Sequence, residues 1–361
     1  MITRRAVLTT TLAALPSALR AAALGVRPRE LRFPEDHGSH PDTRTEWWYV
    51  TGRLDTDPWC GFQVTFFRSR TDVPADHPSR FAAHQLLFAH AALSDLSQRR
   101  LLHDQHIARE GFGIASAALG DARVKLRDWH MERRQGPQGS VWLAQAWSDT
   151  AGFALDLRCE ATQPVLLQGE HGFSRKGPSP NQASHYYSEP QLQVSGRIVR
   201  KGRGQAVTGT AWLDHEWSET YMAPEAVGWD WVGMNLLDGS AFTAFRLRRR
   251  DGSTFWSSGS WRRAGGATEV FEGPAAIRFT PGRRWTSPAT GTTYPVQWQV
   301  ATPVGEFEIR ALLDAQELDS RSSTGAIYWE GLSELLDART ARRVGLGYLE
   351  MTGYSSALRM A

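Results

Sequence analysis

One signature occurs twice in this chain and constrains its fold more than any other feature. Residues 46–50 read Glu-Trp-Trp-Tyr-Val and precede an aromatic segment at 62–68, while residues 229–232 read Trp-Asp-Trp-Val and precede a similar segment at 242–246. Side chains alternate between the two faces of a β-strand, so each pair of segments predicts neighbouring strands with aromatic faces. Two related β-modules are therefore expected, each suited to the wall of a barrel with an apolar cavity.

The rest of the chain is typical of an all-β protein. Short alternating apolar segments are separated by Gly, Asp and Pro, and the Asp-Gly pairs at 238–239 and 251–252 favour tight hairpin turns. We therefore predict an all-β fold of antiparallel barrels or sandwiches with few short helices. The helix candidates are residues 316–319, residues 339–343 and part of 73–83.

The length of the chain favours two domains. Its 361 residues exceed the ~250–300 residues at which single hydrophobic cores usually stop growing. Glycines interrupt the apolar pattern between residues 195 and 205, so we place the boundary there. The predicted domains are residues 26–198 and residues 199–361.

The first 25 residues are predicted to be an export signal. The paired arginines at 4–5 precede an apolar run at 6–19, which favours a twin-arginine signal over an ordinary secretory signal. No later segment approaches the ~18 apolar residues needed to span a bilayer, so we expect a periplasmic or secreted protein without a stable membrane span. Export would permit a disulfide between Cys60 and Cys159, and the sequence leaves their pairing open.

The charge balance argues against nucleic-acid binding. Lys and Arg total 41 and Asp and Glu total 38, which gives a formal net charge of +3 with the two signs interspersed. A nucleic-acid site would require a basic patch. The 15 Trp residues instead suit cores and cavity linings, because an indole combines a large apolar face with one donor. The expected partner is therefore a small apolar molecule.

Acidic and aromatic residues are densest at 212–218 and 228–231. The candidate residues there are Asp214, His215, Glu216, Trp217, Trp229, Asp230 and Trp231. Burial against indole rings raises the pKa of a carboxylic acid and keeps it protonated at neutral pH. A cation formed by protonating an alkene can then be held over the Trp faces. The alternative is that Asp214 and His215 only satisfy buried backbone groups at a strand end.

Metal and cofactor chemistry have weaker support. His215 with Asp214 or Glu216 offers metal ligands, but no second His lies two or four residues away, so no metal site is expected. No dinucleotide or phosphate loop occurs, so no cofactor is expected. The four histidines between residues 84 and 106 are expected to be solvated or to cap turns.

A serine hydrolase is also weakly supported, because the sequence Gly-x-Ser-x-Gly does not occur. His185 with Ser188 and His215 with Ser218 remain as candidate pairs of base and nucleophile. Residues so close in sequence seldom reach the geometry that such a pair requires.

Several segments resemble the carotenoid 1,2-hydratase (hydroxyneurosporene synthase) superfamily, and most closely its exported branch of predicted secreted hydrolases. These segments are residues 33–37, 46–49, 186–188, 214–218, 229–231, 328–331 and 347–354, which span most of the chain. The resemblance implies two lipocalin-like β-barrel domains. It also implies addition of water across an isoprenoid double bond, in which an acid protonates the alkene, aromatic residues stabilise the carbocation and water captures it.

The resemblance further implies catalytic positions. His215 and Trp217 match a His-x-Trp pair of the hydratases. Their Tyr-x-Asp pair has no counterpart, because the corresponding strand reads Ala-Phe-Arg-Leu-Arg at 244–248. An arginine does not protonate an alkene, since its pKa stays above ~12. The acid role would then pass to Asp214, Glu216 or Asp230.

We therefore hypothesise an exported protein that binds an apolar, isoprenoid or polyene-like molecule and hydrates or otherwise protonates it. The predicted catalytic residues are Asp214, His215, Glu216, Trp217 and Asp230, with His215 orienting the acid. The predicted ligand-binding residues are Trp229, Trp231, Tyr187, Trp48, Tyr49 and Glu46. A non-catalytic carrier of lipophilic ligands and a secreted ester or amide hydrolase are the alternatives.

Overall fold

The computed structural model describes residues 25–220 and 222–358. The predicted export signal, apart from its last residue, lies outside these described residues. Strands account for 59% of the protein and helices for 1%, so the predicted all-β fold is confirmed. Within the described ranges, no helix is long and apolar enough to cross a membrane.

The first sheet contains 13 antiparallel strands and forms a nearly closed barrel. Its strands are β1 (Thr45–Leu54), β2 (Cys60–Arg70), β3 (Gln85–Asp95), β4 (Arg100–Arg109), β5 (Ala115–Ala117), β6 (Arg123–Leu126), β7 (Trp129–Gly136), β8 (Gly139–Ser148), β9 (Phe153–Glu160), β10 (Leu166–Leu167), β11 (Phe173–Arg175), β12 (Ala183–Arg200) and β13 (Arg203–Ser218). Their spatial order is β4-β3-β2-β1-β13-β12-β9-β8-β7-β6-β5, and β10 and β11 pair with β12.

The second sheet contains ten strands, and a separate two-stranded hairpin lies within the same part of the chain. The strands after β13 are β14 (Gly228–Leu236), β15 (Ala241–Arg248), β16 (Thr254–Arg262), β17 (Thr268–Gly273), β18 (Arg278–Pro281), β19 (Arg284–Thr286), β20 (Thr293–Pro295), β21 (Gln297–Thr302), β22 (Gly305–Ala311), β23 (Glu317–Ser320), β24 (Ala326–Asp337) and β25 (Arg343–Met351). The order in the sheet is β17-β16-β15-β14-β25-β24-β22-β21-β18; β23 pairs with β24, and β19 and β20 form the hairpin.

Both sheets repeat one strand plan. The path β4-β3-β2-β1-β13-β12 in the first sheet corresponds to β17-β16-β15-β14-β25-β24 in the second. The two copies of the sequence signature lie in β1 and β14, and the aromatic segments that follow them lie in the paired strands β2 and β15. The two related β-modules expected from the sequence are therefore present.

Strand β1 buries both of its faces, which explains its almost continuous aromatic sequence. Trp48 and Val50 belong to the core of the first barrel and are fully buried. Tyr49 instead belongs to a second apolar cluster that includes Trp231, and Trp47 packs against that cluster. Successive side chains of a strand point to opposite faces, so one strand serves both clusters. We call the region between the sheets, where β1, β12 and β13 meet β14, β24 and β25, the seam.

The segment before β1 packs into the first barrel. It contains the short 3₁₀-helix Glu35–His37. Trp48 Nε1 donates a hydrogen bond to the His37 carbonyl oxygen at 3.0 Å, and His37 Nδ1 lies 2.7 Å from Tyr187 Oη. Because His37 is only 1% exposed, this segment fills space that a ligand would occupy in an open barrel.

Two details differ from the sequence predictions, and a third settles a point that the sequence left open. The helix candidate at 316–319 overlaps strand β23, and the candidates at 339–343 and 73–83 form no helix. The predicted domain boundary at 198/199 falls within β12, which pairs with β13 in one hairpin, so the first sheet continues to Ser218. The glycines there serve a tight turn, in which Lys201 and Gly202 have φ values of 54° and 69°. Cys60 and Cys159 are buried free thiols.

Candidate active site

A cavity of about 180 Å³ lies in the seam and is lined by side chains from both sheets. The first sheet contributes Trp47 and Tyr49 from β1, and the second contributes Trp229 and Trp231 from β14. A cavity of roughly 150 Å³ is enough to admit a benzene-sized molecule. The seam can therefore hold a small apolar group or one part of a longer molecule.

Besides Glu46, which pairs with Arg68, four carboxylic side chains line this cavity: Asp214, Glu216, Glu330 and Glu350. Asp214 and Glu216 are two residues apart on β13, so they share a face. Glu330 on β24 and Glu350 on β25 are directly opposed partners, which makes their side chains neighbours. Asp214, Glu216 and Glu330 are at most 4% exposed, whereas Glu350 keeps part of its surface open.

Glu330 and Glu350 form an acid pair. Burial raises the pKa of Glu330 well above its usual range, and the negative charge of Glu350 raises it further. Burial also raises the pKa of Glu350 to about 7, with smaller contributions from the charges of Asp214 and Glu216. Two carboxyl groups in one dry site do not both ionise readily, because each charge disfavours the other. The pair therefore retains at least one proton at neutral pH.

Asp214 accepts three hydrogen bonds in the seam. Ser188 Oγ and Trp212 Nε1 donate to Oδ1 at 2.5 and 2.7 Å, and Tyr186 Oη donates to Oδ2 at 2.7 Å. Burial raises the pKa of Asp214 to about 7, although these three donors act in the opposite direction. Asp214 is thus fixed in orientation and titrates near neutrality.

Glu216 differs from the other three acids because a buried lysine contacts it. Lys176 Nζ lies 2.7 Å from Glu216 Oε1, and Ser184 also donates a hydrogen bond to that oxygen. Burial raises the pKa of Glu216, while the positive charge of Lys176 opposes the rise. Glu216 therefore loses its proton more readily than Glu330.

Three buried polar atoms of cavity-lining residues make no hydrogen bond within the described residues: Tyr49 Oη, Gln63 Oε1 and Glu330 Oε1. Tyr49 Oη and Glu330 Oε1 are close to each other, and Tyr49 lowers the pKa of Glu330. Most buried polar atoms in proteins are hydrogen-bonded. These two atoms therefore mark a position where a ligand or a water molecule can bind.

Five of the residues predicted to form the site either face the interior of the first barrel or belong to a network of ion pairs around Glu46. They are Glu46, Trp48, Tyr187, His215 and Trp217. His215 lies between Asp214 and Glu216 in the sequence, so strand alternation turns its ring away from the seam. It stacks on Trp48 at 4.7 Å and bonds to Glu46 Oε1 at 3.0 Å. This position does not support the predicted role of His215 in orienting the acid.

Glu46 is the centre of that charged network, although it also borders the cavity. Arg68 Nε lies 2.8 Å from Oε2, and His40 Nδ1 lies 2.7 Å from Oε1. Burial alone would raise the pKa of Glu46, but the hydrogen bonds and charges of His215 and His40 hold it well below its usual range. Glu46 is thus an ionised carboxylate that is bonded within the protein.

His40, Glu46 and His215 are also residue types that bind metals, and their ligand atoms lie within 4.8 Å of one another. Each is already engaged, because the second nitrogen of His40 contacts Asp36 at 2.9 Å and the second nitrogen of His215 contacts Tyr187 at 3.2 Å. Arg68 also places a positive charge beside Glu46, which disfavours another cation there. We interpret this group as an ion-pair network.

Asp230 faces the inside of the second sheet. Its Oδ2 lies 2.7 Å from Arg246 Nε and 3.1 Å from Arg248 Nε, and Tyr354 Oη donates to its Oδ1 at 2.8 Å. Asp230 is fully buried and does not line the cavity, so its position does not support the predicted proton-donor role. Its neighbours Trp229 and Trp231 point the other way and do line the cavity.

The candidate serine–histidine pairs do not form. Ser188 Oγ donates to Asp214 and accepts a hydrogen bond from Gln168 Nε2 at 2.8 Å. Ser218 Oγ donates to the Ala183 carbonyl oxygen at 2.7 Å. Neither hydroxyl contacts a histidine in the described residues, which removes the basis for the hydrolase alternative.

The sequence reasoning missed Glu330 and Glu350 as site residues, although both lie in segments that carry the family resemblance. The available signal was a lone acid inside an apolar strand, as in Tyr-Trp-Glu-Gly at 328–331. It also missed His90, which is 2% exposed and bonds to Tyr328 Oη at 2.8 Å. Burial lowers the pKa of His90 to about 3, so it lines the cavity as a neutral ring.

Comparisons with known proteins agree with this architecture. The structure of a candidate AttH from Nitrosomonas europaea is 47% identical, with an alignment covering 91% of this chain and 98% of that chain and a TM-score of 0.83. Kievitone hydratase from Nectria haematococca is 15% identical over 91% of this chain and 94% of its own, with a TM-score of 0.68. CghA bound to Sch210972 is 12% identical over 86% and 88%, with a TM-score of 0.54.

At such low identity, kievitone hydratase and CghA show a shared fold alone. No curated protein has a sequence that matches this one. The fold of these neighbours is consistent with the predicted resemblance to the carotenoid hydratase-like lipocalin superfamily. A family model described as AttH-like matches residues 25–354. The chain therefore belongs to the AttH-like family.

Proposed function

We propose that the seam cavity binds an apolar molecule containing a carbon–carbon double bond and catalyses its hydration by proton transfer. The observation that carries this proposal is the acid pair Glu330 and Glu350, which lies in an aromatic cavity and retains a proton at neutral pH. An acid that stays protonated near pH 7 is what alkene protonation requires. The shared fold with kievitone hydratase, whose name states a hydration, supports the same reaction class.

The proposed reaction assigns a role to each group. Glu330 gives its carboxyl proton to one alkene carbon, so a C–H bond forms while the π bond breaks and a carbocation remains. The faces of Trp47, Trp229 and Trp231 stabilise this cation by ~0.5–2 kcal/mol per contact. A water molecule then attacks the cation, Asp214 accepts the proton that this water loses, and an alcohol is released. Proton exchange among the seam carboxyls returns Glu330 to its acid form.

Turnover of lycopene and shorter acyclic prenyl alkenes tests the proposal. We expect the wild-type protein to form a product heavier by one water, and Glu330→Gln to lower the rate by about 10²–10⁴-fold, the usual contribution of a general acid. The matched control is Glu334→Gln on the same strand, because Glu334 pairs with Arg343 and does not line the cavity. If Glu330→Gln, Glu350→Gln and Asp214→Asn all keep wild-type turnover of an accepted substrate, the catalytic assignment is rejected.

A non-catalytic carrier is the second candidate function. The observation in its favour is that His215 and Trp217, the pair carried over from the hydratases, do not line the cavity. Native mass spectrometry of the purified protein distinguishes the two functions. A carrier retains one ligand per chain, whereas an enzyme releases its product.

We also propose that residues 1–25 direct export by the twin-arginine route. The sequence pattern of paired arginines before an apolar run supports this. Changing Arg4→Lys and Arg5→Lys together should retain the precursor in the cytoplasm, as measured by cell fractionation. Unchanged export of this variant would favour the ordinary secretory route.

A further inference from the structure

An exposed aromatic pair lies at one end of the first sheet. Phe81 and Phe112 are 64% and 46% exposed, and their rings stack with centroids 5.5 Å apart at an interplanar angle of 5°. Ile107 and Ile114 nearby are 39% and 48% exposed. These four side chains are half of the eight large apolar side chains that are exposed among the described residues. We call them the aromatic patch.

The backbone holds Phe112 outward in an unfavourable conformation. Gly111, Phe112 and Gly113 have φ values of 102°, 58° and 72°. A positive φ is rare for a bulky residue, and such strain concentrates at functional positions. An aromatic ring that is exposed on a strained loop does not serve the core of this chain, so the patch requires another explanation.

Two arginines accompany the rings. The guanidinium carbon of Arg109 lies 4.0 Å from the ring centroid of Phe112, and that of Arg80 lies 5.4 Å from the same centroid. Arg109 Nη1 is buried without a hydrogen-bond partner, and neither arginine forms an ion pair with a carboxylate in the ranges that the structure describes. The patch therefore combines apolar rings with positive charge that is not neutralised locally.

A continuous row of apolar side chains joins this patch to the cavity. Cross-strand pairing places Trp47 opposite Phe67, Phe67 opposite Phe88, and Phe88 opposite Ile107. Directly opposed residues lie on the same face of a sheet. Trp47, Phe67 and Phe88 line the cavity, and Ile107 ends the row on β4, the edge strand of the sheet. This row therefore forms an apolar connection between Ile107 and the cavity.

We propose that the aromatic patch docks on an anionic lipid surface and that the row from Ile107 to Trp47 receives the apolar ligand from it. The rings of Phe81 and Phe112 insert at the boundary between headgroups and acyl chains, where aromatic residues partition well. Arg80 and Arg109 bind lipid phosphates, and their side chains lie along the same rings. The ligand-transfer part rests on the proposed function of the cavity, whereas the docking part does not.

Co-sedimentation with vesicles tests docking in the absence of any substrate. We expect the full chain to bind phosphatidylglycerol vesicles more strongly than phosphatidylcholine vesicles, and binding to weaken as salt screens the charges. Combining Phe81→Ser with Phe112→Asn should lower the partition coefficient at least about tenfold, because two buried rings are lost. Asn tolerates the positive φ at position 112. Combining Arg80→Gln with Arg109→Gln should lower it about 10- to 30-fold at low salt.

The matched control is Leu237→Ser, which removes an apolar side chain that is 67% exposed elsewhere on the molecule and should leave binding unchanged. Equal loss in this control, or no preference of the wild-type protein for anionic vesicles, would overturn the proposal. The proposal would also be overturned if the wild-type protein did not bind vesicles but formed a dimer that the Phe81 and Phe112 changes abolish. The patch would then bind a protein partner. Glu330→Gln should bind vesicles like the wild type. A failure of the hydration proposal can therefore be distinguished from a failure of the docking proposal.

Discussion

The two sheets carry equivalent ion pairs on their inner faces but different acids at the seam. Glu46 on β1 pairs with Arg68 on β2, and the equivalent strands β14 and β15 pair Asp230 with Arg246. At the seam, the position of Glu216 on β13 corresponds to that of Glu350 on β25. Its neighbour Tyr186 on β12 corresponds to Glu330 on β24. The inner faces therefore repeat an interaction, whereas the seam faces differ.

This difference separates two kinds of buried acid. An arginine lies within hydrogen-bond distance of Glu46 and of Asp230, so each charge is compensated inside its own sheet. Neither Glu330 nor Glu350 has a Lys or Arg partner in the described part of the chain, and burial keeps a proton on the pair. A buried acid with an arginine partner has its charge compensated within the protein, and one without such a partner is available for proton transfer.

Removing the inner arginine of the first sheet should have the largest effect on stability. Arg68→Met leaves Glu46 buried with one compensating cation fewer, and breaking a buried pair in this way costs about 3–5 kcal/mol of the free energy of unfolding. Arg246→Met should cost less, because Arg248 still contacts Asp230 at 3.1 Å. Urea denaturation measures both. Equal losses for the two variants would contradict the role assigned to Arg248.

Replacing the seam acid Glu350 should make the protein increasingly stable relative to the wild type as the pH rises. The pKa of Glu350 is about 7 in the folded protein and 4.5 in the unfolded chain, so folding takes up a proton at pH values between these two. Stability conferred by the protonated form is therefore lost as the pH increases through that range, by roughly 3 kcal/mol in total. Glu350→Gln does not titrate, so its stability relative to the wild type should increase from pH 5 to pH 8.

Denaturation of both proteins at several pH values checks this trend, and Glu334→Gln is the control at a site away from the cavity. A difference between Glu350→Gln and the wild type that does not change with pH would show that Glu350 is ionised in the fold. The acid pair at the seam would then not retain a proton through Glu350, and the contrast drawn between the seam and the inner faces would fail.

The lysine at the seam should have a smaller, pH-dependent effect. Lys176→Met leaves Glu216 without its cation, so the pKa of Glu216 should rise further. We expect a loss of about 2 kcal/mol in the free energy of unfolding at pH 8 and a smaller loss at pH 5, where Glu216 can be protonated. A larger loss at pH 5 would reverse the expected sign and contradict the assignment.

Removing the hydroxyl of Tyr49 should have the smallest effect on stability. Tyr49 Oη has no hydrogen bond of acceptable geometry in the described residues, so Tyr49→Phe should change the free energy of unfolding by less than about 0.5 kcal/mol. It should nevertheless weaken ligand binding, measured by quenching of tryptophan fluorescence. A large loss of stability without any change in binding would show that the hydroxyl has a structural role instead.

The fold was predictable from the sequence because strand alternation and hairpin turns are local signals. The repeated signature at 46–50 and 229–232 correctly indicated two related β-modules. The predicted domain boundary lies beside the hairpin turn at residues 201 and 202, because glycines with positive φ serve hairpins as well as domain boundaries. The short helix candidates failed because tertiary pairing overrides weak local propensity.

The site was predictable only in part, because its composition depends on which face each residue occupies. Asp214 and Glu216 were identified as acids, and Trp229 and Trp231 as aromatic lining. Treating residues 214–217 as one cluster ignored the alternation that separates His215 from its neighbours. Glu330 and Glu350 line the same cavity as Glu216 only because the two sheets meet, and the sequence carries no local signal for how the sheets pack.

Infrared spectroscopy of the seam carboxyls tests the central claim most directly. A protonated carboxyl group has a C=O stretching band that an ionised one lacks, and titration of the wild type against Glu330→Gln and Glu350→Gln assigns that band. We predict a protonated carboxyl band at pH 7 that loses intensity in at least one of these two variants and keeps its intensity in Glu334→Gln. Absence of any such band from the wild type at pH 7, with all seam acids ionised, would contradict the account.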